Sequence, residues 1–296
     1  DALGAVVEEL PDGWFLPIEA AAIDDQFASL APNEWQAYLS GLSTSDAVLS
    51  ETSADIRRIT VGATLVAGGT NLRVNSILPD VVVGGAELVV THEVGEQIGV
   101  KTPRYLLIAY EGERAVLEDA IRSILPPETP VRIRALGETP FLRHGDAVLP
   151  QVLIKQAFGE FTIRPTNTGG FELDQEWADR HIFSAELPLI GEASCHAAIT
   201  TPLTAALEEM ERSNLGFLVE SFDGCFYPRF IAGSRSLSRH AWGAAIDLNY
   251  AANPTGQVTV QDPRLVSIME RWGFTWGGNW LIPDAAHFEW VGPPVP

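Results

Sequence analysis

The sequence predicts an α+β protein of two domains, and three observations predict it. Residues 1–137 mix short strands, glycine turns and helical stretches in an order that fits one mixed α+β domain. From Gly137 to about Pro188 the pattern loosens into a connecting region, 138–188. The remainder, 189–296, runs helix, strand, loop, strand, helix, strand, and carries every residue pattern with chemical promise. A chain of 296 residues is long enough for one large domain or two ordinary ones.

In the front part, NEWQAYLSGL (33–42) reads as a helix, and SETSADIRR (50–58) as a second, with Ser50 as its N-cap. ATLVAGGTNLRVNSIL and DVVVGGAELVVT read as short strands broken at the glycine pairs 68–69 and 84–85. PRYLLIAY (103–110) reads as a buried strand, ERAVLEDAIRSIL as an amphipathic helix, and PVRIRAL (130–136) as another strand. In the connecting region, FGEFTIRP and GGFELD flank TNTG as a hairpin, and EWADRHI makes one short helical turn.

The last third opens with TPLTAALEEMERSN (201–214), where Thr-Pro signals a helix start. GFLVESF (216–222) reads as a strand. AAIDLN is a second, with Asp247 and Asn249 on the face opposite its apolar residues. DPRLVSIMERWGF is a helix closed by Gly273, and HFEWV is the final strand. No fixed-period repeat or low-complexity segment is present.

Composition excludes several classes of function. With 46% hydrophobic and 20% charged residues the chain is globular, and no apolar run approaches the ~18–20 residues that span a membrane. A net charge of −20 argues against nucleic acid and against anionic lipid surfaces, both of which need basic patches. Most of the acidity lies in residues 1–188 and reads as a solvated surface. The sequence starts at Asp1 rather than a methionine, and that start says nothing of where the protein is sent. Cys195 and Cys225 lack the spacing of a zinc cluster. They are free thiols in a reducing compartment; in an oxidising one they would close a loop of about 30 residues, a bridge adding roughly 3–4 kcal/mol.

The candidate chemistry begins in SLSRHAWGAAIDLN (236–249). His240 lies seven residues before Asp247, with Gly243 able to turn the loop back and Ala245 small enough to leave room beside the carboxylate. That arrangement suits either a tightly packed turn or a metal needing ligands at about 2.0–2.2 Å. A second cluster lies in NWLIPDAAHFEW. Asp284 and His287 are three residues apart, and His287 opens a strand whose face Glu289 shares while Phe288 and Trp290 point to the core. Three metal ligands, His240, Asp247 and His287, and a separate carboxylate, Asp284, are what zinc-assisted hydrolysis requires.

Ser238-x-His240-x-x-Gly243-x-Ala245-x-Asp247, followed by Asp284-x-x-His287-Phe288-Glu289, resembles the signature of the zinc peptidases that cut peptidoglycan stem peptides. These are the D-alanyl-D-alanine carboxypeptidase and L-alanyl-D-glutamate endopeptidase family, which shares its fold with the hedgehog signalling domain. The resemblance covers roughly 189–296. It implies one zinc ion (Zn2+) per chain on His240, Asp247 and His287, with Asp284 as catalytic base. It further implies Arg229 at the substrate carbonyl and Ser238 in the substrate site. Arg235 and Arg239 are ranked below Arg229, as arginines expected to face solvent. Glu289 is placed to orient a ligand histidine. WGGNW before HFE is more like the endopeptidase branch, with removal of a terminal D-alanine as the alternative and a non-hydrolytic zinc-binding regulatory module as the rival from another class.

If the substrate is the wall, the protein works outside the cytoplasm, whether secreted, periplasmic or membrane-tethered, and Cys195 and Cys225 are expected to form a disulfide bracing the arginine loop. His92, His144, His181 and His196 lack metal-type spacing and are expected to be structural or exposed. Nothing in 1–188 has a catalytic constellation. LSETSADIRRITVGATL is similar to extracytoplasmic domains of bacterial membrane permeases, so 1–137 is expected to position the enzyme or bind an envelope protein partner.

Overall fold

The computed structural model describes residues 2–10, 12–24, 26–101, 106–127, 129 and 148–293. It is a mixed α and β structure. By contact density the chain falls into two compact units, Asp1–Val6 with Glu19–Ala147, and Val7–Ile18 with Val148–Pro296.

β1 (Ala2–Glu9) begins in the first unit and β2 (Phe15–Ile23) ends in it, and they are followed by α1 (Phe27–Leu30) and α2 (Asn33–Ser40). Then come β3 (Asp46–Ser50), α3 (Glu51–Arg57), β4 (Thr64–Ala67), β5 (Thr70–Leu78), β6 (Leu88–Thr91), α4 (His92–Ile98) and α5 (Arg114–Ile124). The strand order is β1-β4-β5-β3-β6-β2, and β1 also pairs with β2. Ser50 caps α3 by accepting from Ser53 N, as its position before a helical run predicts. The glycine pairs at 68–69 and 84–85 all take positive φ, the conformation that lets the chain reverse there.

One expectation for this part changes. Residues 106–110 form no strand, and Leu106 is 78% exposed, because an apolar run becomes a strand only where a neighbouring ladder accepts its hydrogen bonds. The helix expected from ERAVLEDAIRSIL is present as α5, yet none of its residues is buried. The PVRIRAL segment and His144 lie outside the described residues.

The second unit continues with α6 (Gln151–Phe158), the hairpin β7 (Ile163–Pro165) and β8 (Phe171–Leu173), α7 (Gln175–His181), and the hairpin β9 (Ile182–Leu187) and β10 (Gly191–His196). After α8 (Ala197–Arg212) come β11 (Phe222–Gly224), β12 (Ala245–Leu248), α9 (Pro263–Arg271), β13 (Phe274–Trp276) and β14 (His287–Trp290). The last four strands form one sheet in the order β11-β12-β14-β13. One core joins α8, α9 and this sheet through Leu203, Leu207, Leu265, Met269, Ile246 and Phe288. Ile154, Phe158, Phe161 and Trp177 pack into the same core, so the described part of the expected connecting region, 148–188, lies within the second unit.

Helix α8 starts at Ala197, four residues ahead of the Thr-Pro signal. The His196 ring accepts from Ala198 N and caps it there, which leaves Pro202 inside the helix. The strand expected over 216–222 is a single 3₁₀ turn at Gly216–Leu218, with ladder pairing only from Phe222. Asn249 explains the change: its Oδ1 accepts from Glu220 N and Ser221 N, and its Nδ2 donates to Leu218 O. One side chain takes the hydrogen bonds that a neighbouring strand would otherwise take.

Candidate metal centre

Strands β12 and β14 run antiparallel with Asp247 directly opposite His287 and Ala245 opposite Glu289. Alternation then gathers all four on one face of the sheet, with Ala245 supplying the space beside Glu289. His240 arrives from a different element, the 3₁₀ turn Arg239–Trp242. Ser238 Oγ accepts from His240 N at 3.4 Å at the start of that turn. Gly243 ends it at φ +62°, where a Cβ would lie 2.7 Å from His196 N, so only glycine fits the reversal that returns the chain to β12.

The three side chains converge. His240 Nε2 lies 3.2 Å from His287 Nδ1 and 3.2 Å from Asp247 Oδ1, and His287 Nδ1 lies 3.0 Å from Asp247 Oδ1. Tetrahedral ligands at zinc distances are separated by about 3.3 Å, so this triangle fits one face of such a coordination shell. The outward nitrogens are also engaged. His240 Nδ1 donates to the Cys225 carbonyl at 2.7 Å, which leaves Nε2 as the inward lone pair. His287 Nε2 lies 3.3 Å from Glu289 Oε2. His240, Asp247 and His287 therefore form a group that could hold a metal ion.

Electrostatics bind the three together. Burial would raise the Asp247 pKa, but hydrogen bonds from His240 and His287 hold it well below the usual carboxylate range. Burial alone would lower the pKa of His287; hydrogen bonds to Asp247 and Glu289, one on each nitrogen, push it up to about 10 instead.

Asp284 stands outside the triangle. It is half-buried, its carboxylate accepts from Thr255 Oγ1 at 3.0 Å, and its carbonyl accepts from His287 N. Its main chain packs so closely on Gly277 that a Cβ there would lie 2.6 Å from Asp284 O. The Arg229 main chain accepts from Ser238 N, and its half-buried guanidinium makes no hydrogen bond or ion pair among the described residues. Ser238 is 4% exposed, with its hydroxyl turned to the His240 main chain. Arg235 is exposed as expected, but Arg239 is not: it is buried, donates to Leu149 O at 2.6 Å and lies over Trp242. A guanidinium on a long stem can fold back onto a carbonyl when its own turn is covered.

Cys195 and Cys225 are joined by a disulfide. His196 is buried and capping, stacked on the half-buried His181, while His92 is exposed. Three contributors to the site were not read from the sequence. Thr255 reaches Asp284 from a loop 29 residues away. Trp280 lies against His287 with ring centroids 5.2 Å apart. The Cys225 carbonyl is a backbone atom, which no residue pattern reports. The tryptophan was within the quoted motif and its place beside the ligands was the available signal.

A family model described as D-alanyl-D-alanine carboxypeptidase matches residues 232–290, the stretch that carries His240, Asp247, Asp284 and His287. No curated protein and no solved structure matches the chain. A peptidoglycan-related peptidase is the activity this match suggests.

Proposed function

We propose that the chain is a zinc-dependent peptidase that hydrolyses amide bonds in peptidoglycan stem peptides, built on a hedgehog-like zinc domain in its last third. The observation that carries this reading is the convergence of His240 Nε2, Asp247 Oδ1 and His287 Nδ1 into one triangle, with Asp284 left outside it, inside the stretch that matches the family. When bound, one zinc ion per chain supplies Lewis acidity toward a peptide carbonyl and an attacking water.

The remaining chemistry belongs to the chain. Asp284, a carboxylate that is not needed as a ligand, accepts the proton of the attacking water and returns it to the leaving amine. Thr255 holds that carboxylate in place. Arg229, whose guanidinium is unpaired among the described residues, binds the scissile carbonyl as negative charge develops there. Glu289 and the Cys225 carbonyl fix the two histidine rings. Ser238 Oγ accepts from the His240 main-chain N–H and supports the ligand turn, and Ser238 is proposed to belong to the substrate site.

The WGGNW–HFE ending favours internal cleavage between L-alanine and D-glutamate, with removal of terminal D-alanine as the second reading. A non-hydrolytic zinc module has no use for Asp284. The disulfide and the wall substrate support an extracytoplasmic location, and no described helix is long and apolar enough to cross a membrane. Residues 1–137 are proposed to position the enzyme or bind an envelope protein.

Digestion of purified peptidoglycan and defined stem peptides by the zinc-loaded protein, read by mass spectrometry beside a chelated control, tests the reading. Chelator-sensitive cleavage is expected, and the fragment masses name the bond. Absence of cleavage with one zinc bound per chain would transfer the assignment to the binding module.

A further inference from the structure

The Cys195–Cys225 disulfide stands directly behind one of the three converging side chains. Cys225 is 3% exposed and Cys195 1%, and the carbonyl of Cys225 is the group that accepts from His240 Nδ1. Residues 225–227 leave β11 after Gly224 and belong to no strand or helix. Their position rests on a few tethers. The disulfide ties Cys225 to β10, Phe226 N donates to Ser194 O at 2.9 Å, and Tyr227 N donates to His240 O at 2.9 Å. The His240 turn has anchors of its own, with Arg239 donating to Leu149 O, Trp242 Nε1 to Gly159 O and His196 N to Gly243 O, while β11 ends at Gly224 opposite Asp247. Beyond Gly224, what ties Cys225 and Phe226 to β10 is one covalent bond and one hydrogen bond.

The His240 ring needs that location. An imidazole with a free Nδ1 exchanges its proton between the two nitrogens and rotates. With Nδ1–H given to a fixed carbonyl, Nε2 is held as a lone pair facing Asp247 and His287. A backbone carbonyl cannot be supplied by a neighbouring side chain, and it moves only when the segment moves.

We infer that the Cys195–Cys225 disulfide is a positioning element of the metal site, fixing the Cys225 carbonyl against His240 so that metal affinity depends on the oxidation of these two thiols. The inference rests on the metal reading proposed above. Formation of the bridge converts two thiols to one disulfide, releases two protons and passes two electrons to a disulfide-class oxidant, which leaves as a dithiol. In the dithiol state the 225–227 segment keeps one hydrogen bond to β10 in place of two connections, and the Cys225 carbonyl is held less firmly against His240 Nδ1. The chain therefore holds metal weakly until the bridge has formed.

The test is zinc affinity of the full chain, measured by competition with a chromophoric chelator, for the wild type, for Cys195→Ala/Cys225→Ala, and for Leu265→Ala. The last is a truncation in the buried core on α9 that leaves both cysteines in place. The double cysteine variant is expected to bind zinc about 10–100-fold more weakly, the range found when the outer partner of a ligand is lost, while Leu265→Ala stays near wild type. A folded double variant with wild-type affinity overturns the inference, as does an equal loss in Leu265→Ala. Should the double variant not fold, nitrogen-15 NMR of the zinc-loaded wild type decides: a protected Nδ1 proton on His240 is expected, and metal on that nitrogen overturns the inference. A wild type that binds no zinc removes the metal reading and this inference together, an outcome distinct from loss of the difference between variants.

Discussion

Glu289 Oε2 lies 3.3 Å from His287 Nε2, two residues along the same strand and on the same face, while the other nitrogen of that ring faces Asp247. Strand geometry alone produces this contact, since residues i and i+2 share a face. Glu289 is 3% exposed, so its carboxylate meets the imidazole out of solvent. Glu289→Ala is expected to weaken zinc binding about 10–100-fold, and Glu289→Gln, which keeps an acceptor oxygen, to weaken it less. Chelator competition measures both. Equal affinity in Glu289→Ala and wild type would make the contact incidental.

Asp284 and His240 are expected to fail differently. Asp284→Asn preserves the His240–Asp247–His287 triangle and should bind zinc normally while losing a factor of about 10²–10⁴ in kcat. His240→Ala removes one corner and should lose both zinc and activity. Metal content and stem-peptide turnover, read on the same preparations, separate the two. Substantial hydrolysis by Asp284→Asn would take the role of base away from this residue.

Zinc binding is expected to release a proton. With its pKa pushed up to about 10, His287 holds a proton at neutral pH, shared toward Asp247 and Glu289, and an ion taking Nδ1 must displace it. Below that pKa the proton competes with the ion, so apparent affinity should rise about tenfold per pH unit between pH 7 and 9. Calorimetry in buffers of different ionisation enthalpy counts the proton directly. A pH-independent affinity would mean that the two carboxylates do not retain it.

Acid should destabilise the fold through His196. Burial, with a smaller effect from His181, lowers the His196 pKa to about 4, although its contact with the Phe158 carbonyl works the other way. The unfolded chain titrates near 6.5, so between these values it binds a proton that the fold refuses. This contribution is complete above about pH 6.5 and is lost as pH falls toward 4. Urea unfolding across pH 4.5–7 should show a shallower dependence in His196→Asn, which keeps a helix-capping oxygen without the titration. Parallel curves for variant and wild type would assign the acid sensitivity to other groups.

The sequence by itself determined the parts of this protein that local chemistry dictates. The serine cap of α3, the glycine reversals, the β12 and β14 strands and the 263–271 helix follow from caps, turn residues and periodicity, which operate over a few residues. The convergence of His240, Asp247 and His287 was legible too, because fixed spacing along strands and tight turns limits where their side chains can go.

Only the tertiary structure decided the rest, wherever the partner lies far along the chain. Asn249 replaces a strand ladder with side-chain hydrogen bonds to a loop 28–31 residues away, and so removes the strand expected at 216–222. Residues 106–110 form no strand because none among the described residues offers them a ladder, and a run of apolar letters cannot report that. The groups that hold the candidate site residues, the Cys225 carbonyl behind His240 and Thr255 beside Asp284, come from loops 15 and 29 residues distant. A hydrogen bond is specified by the meeting of two groups in space, and for partners so far apart only the folded chain brings them together.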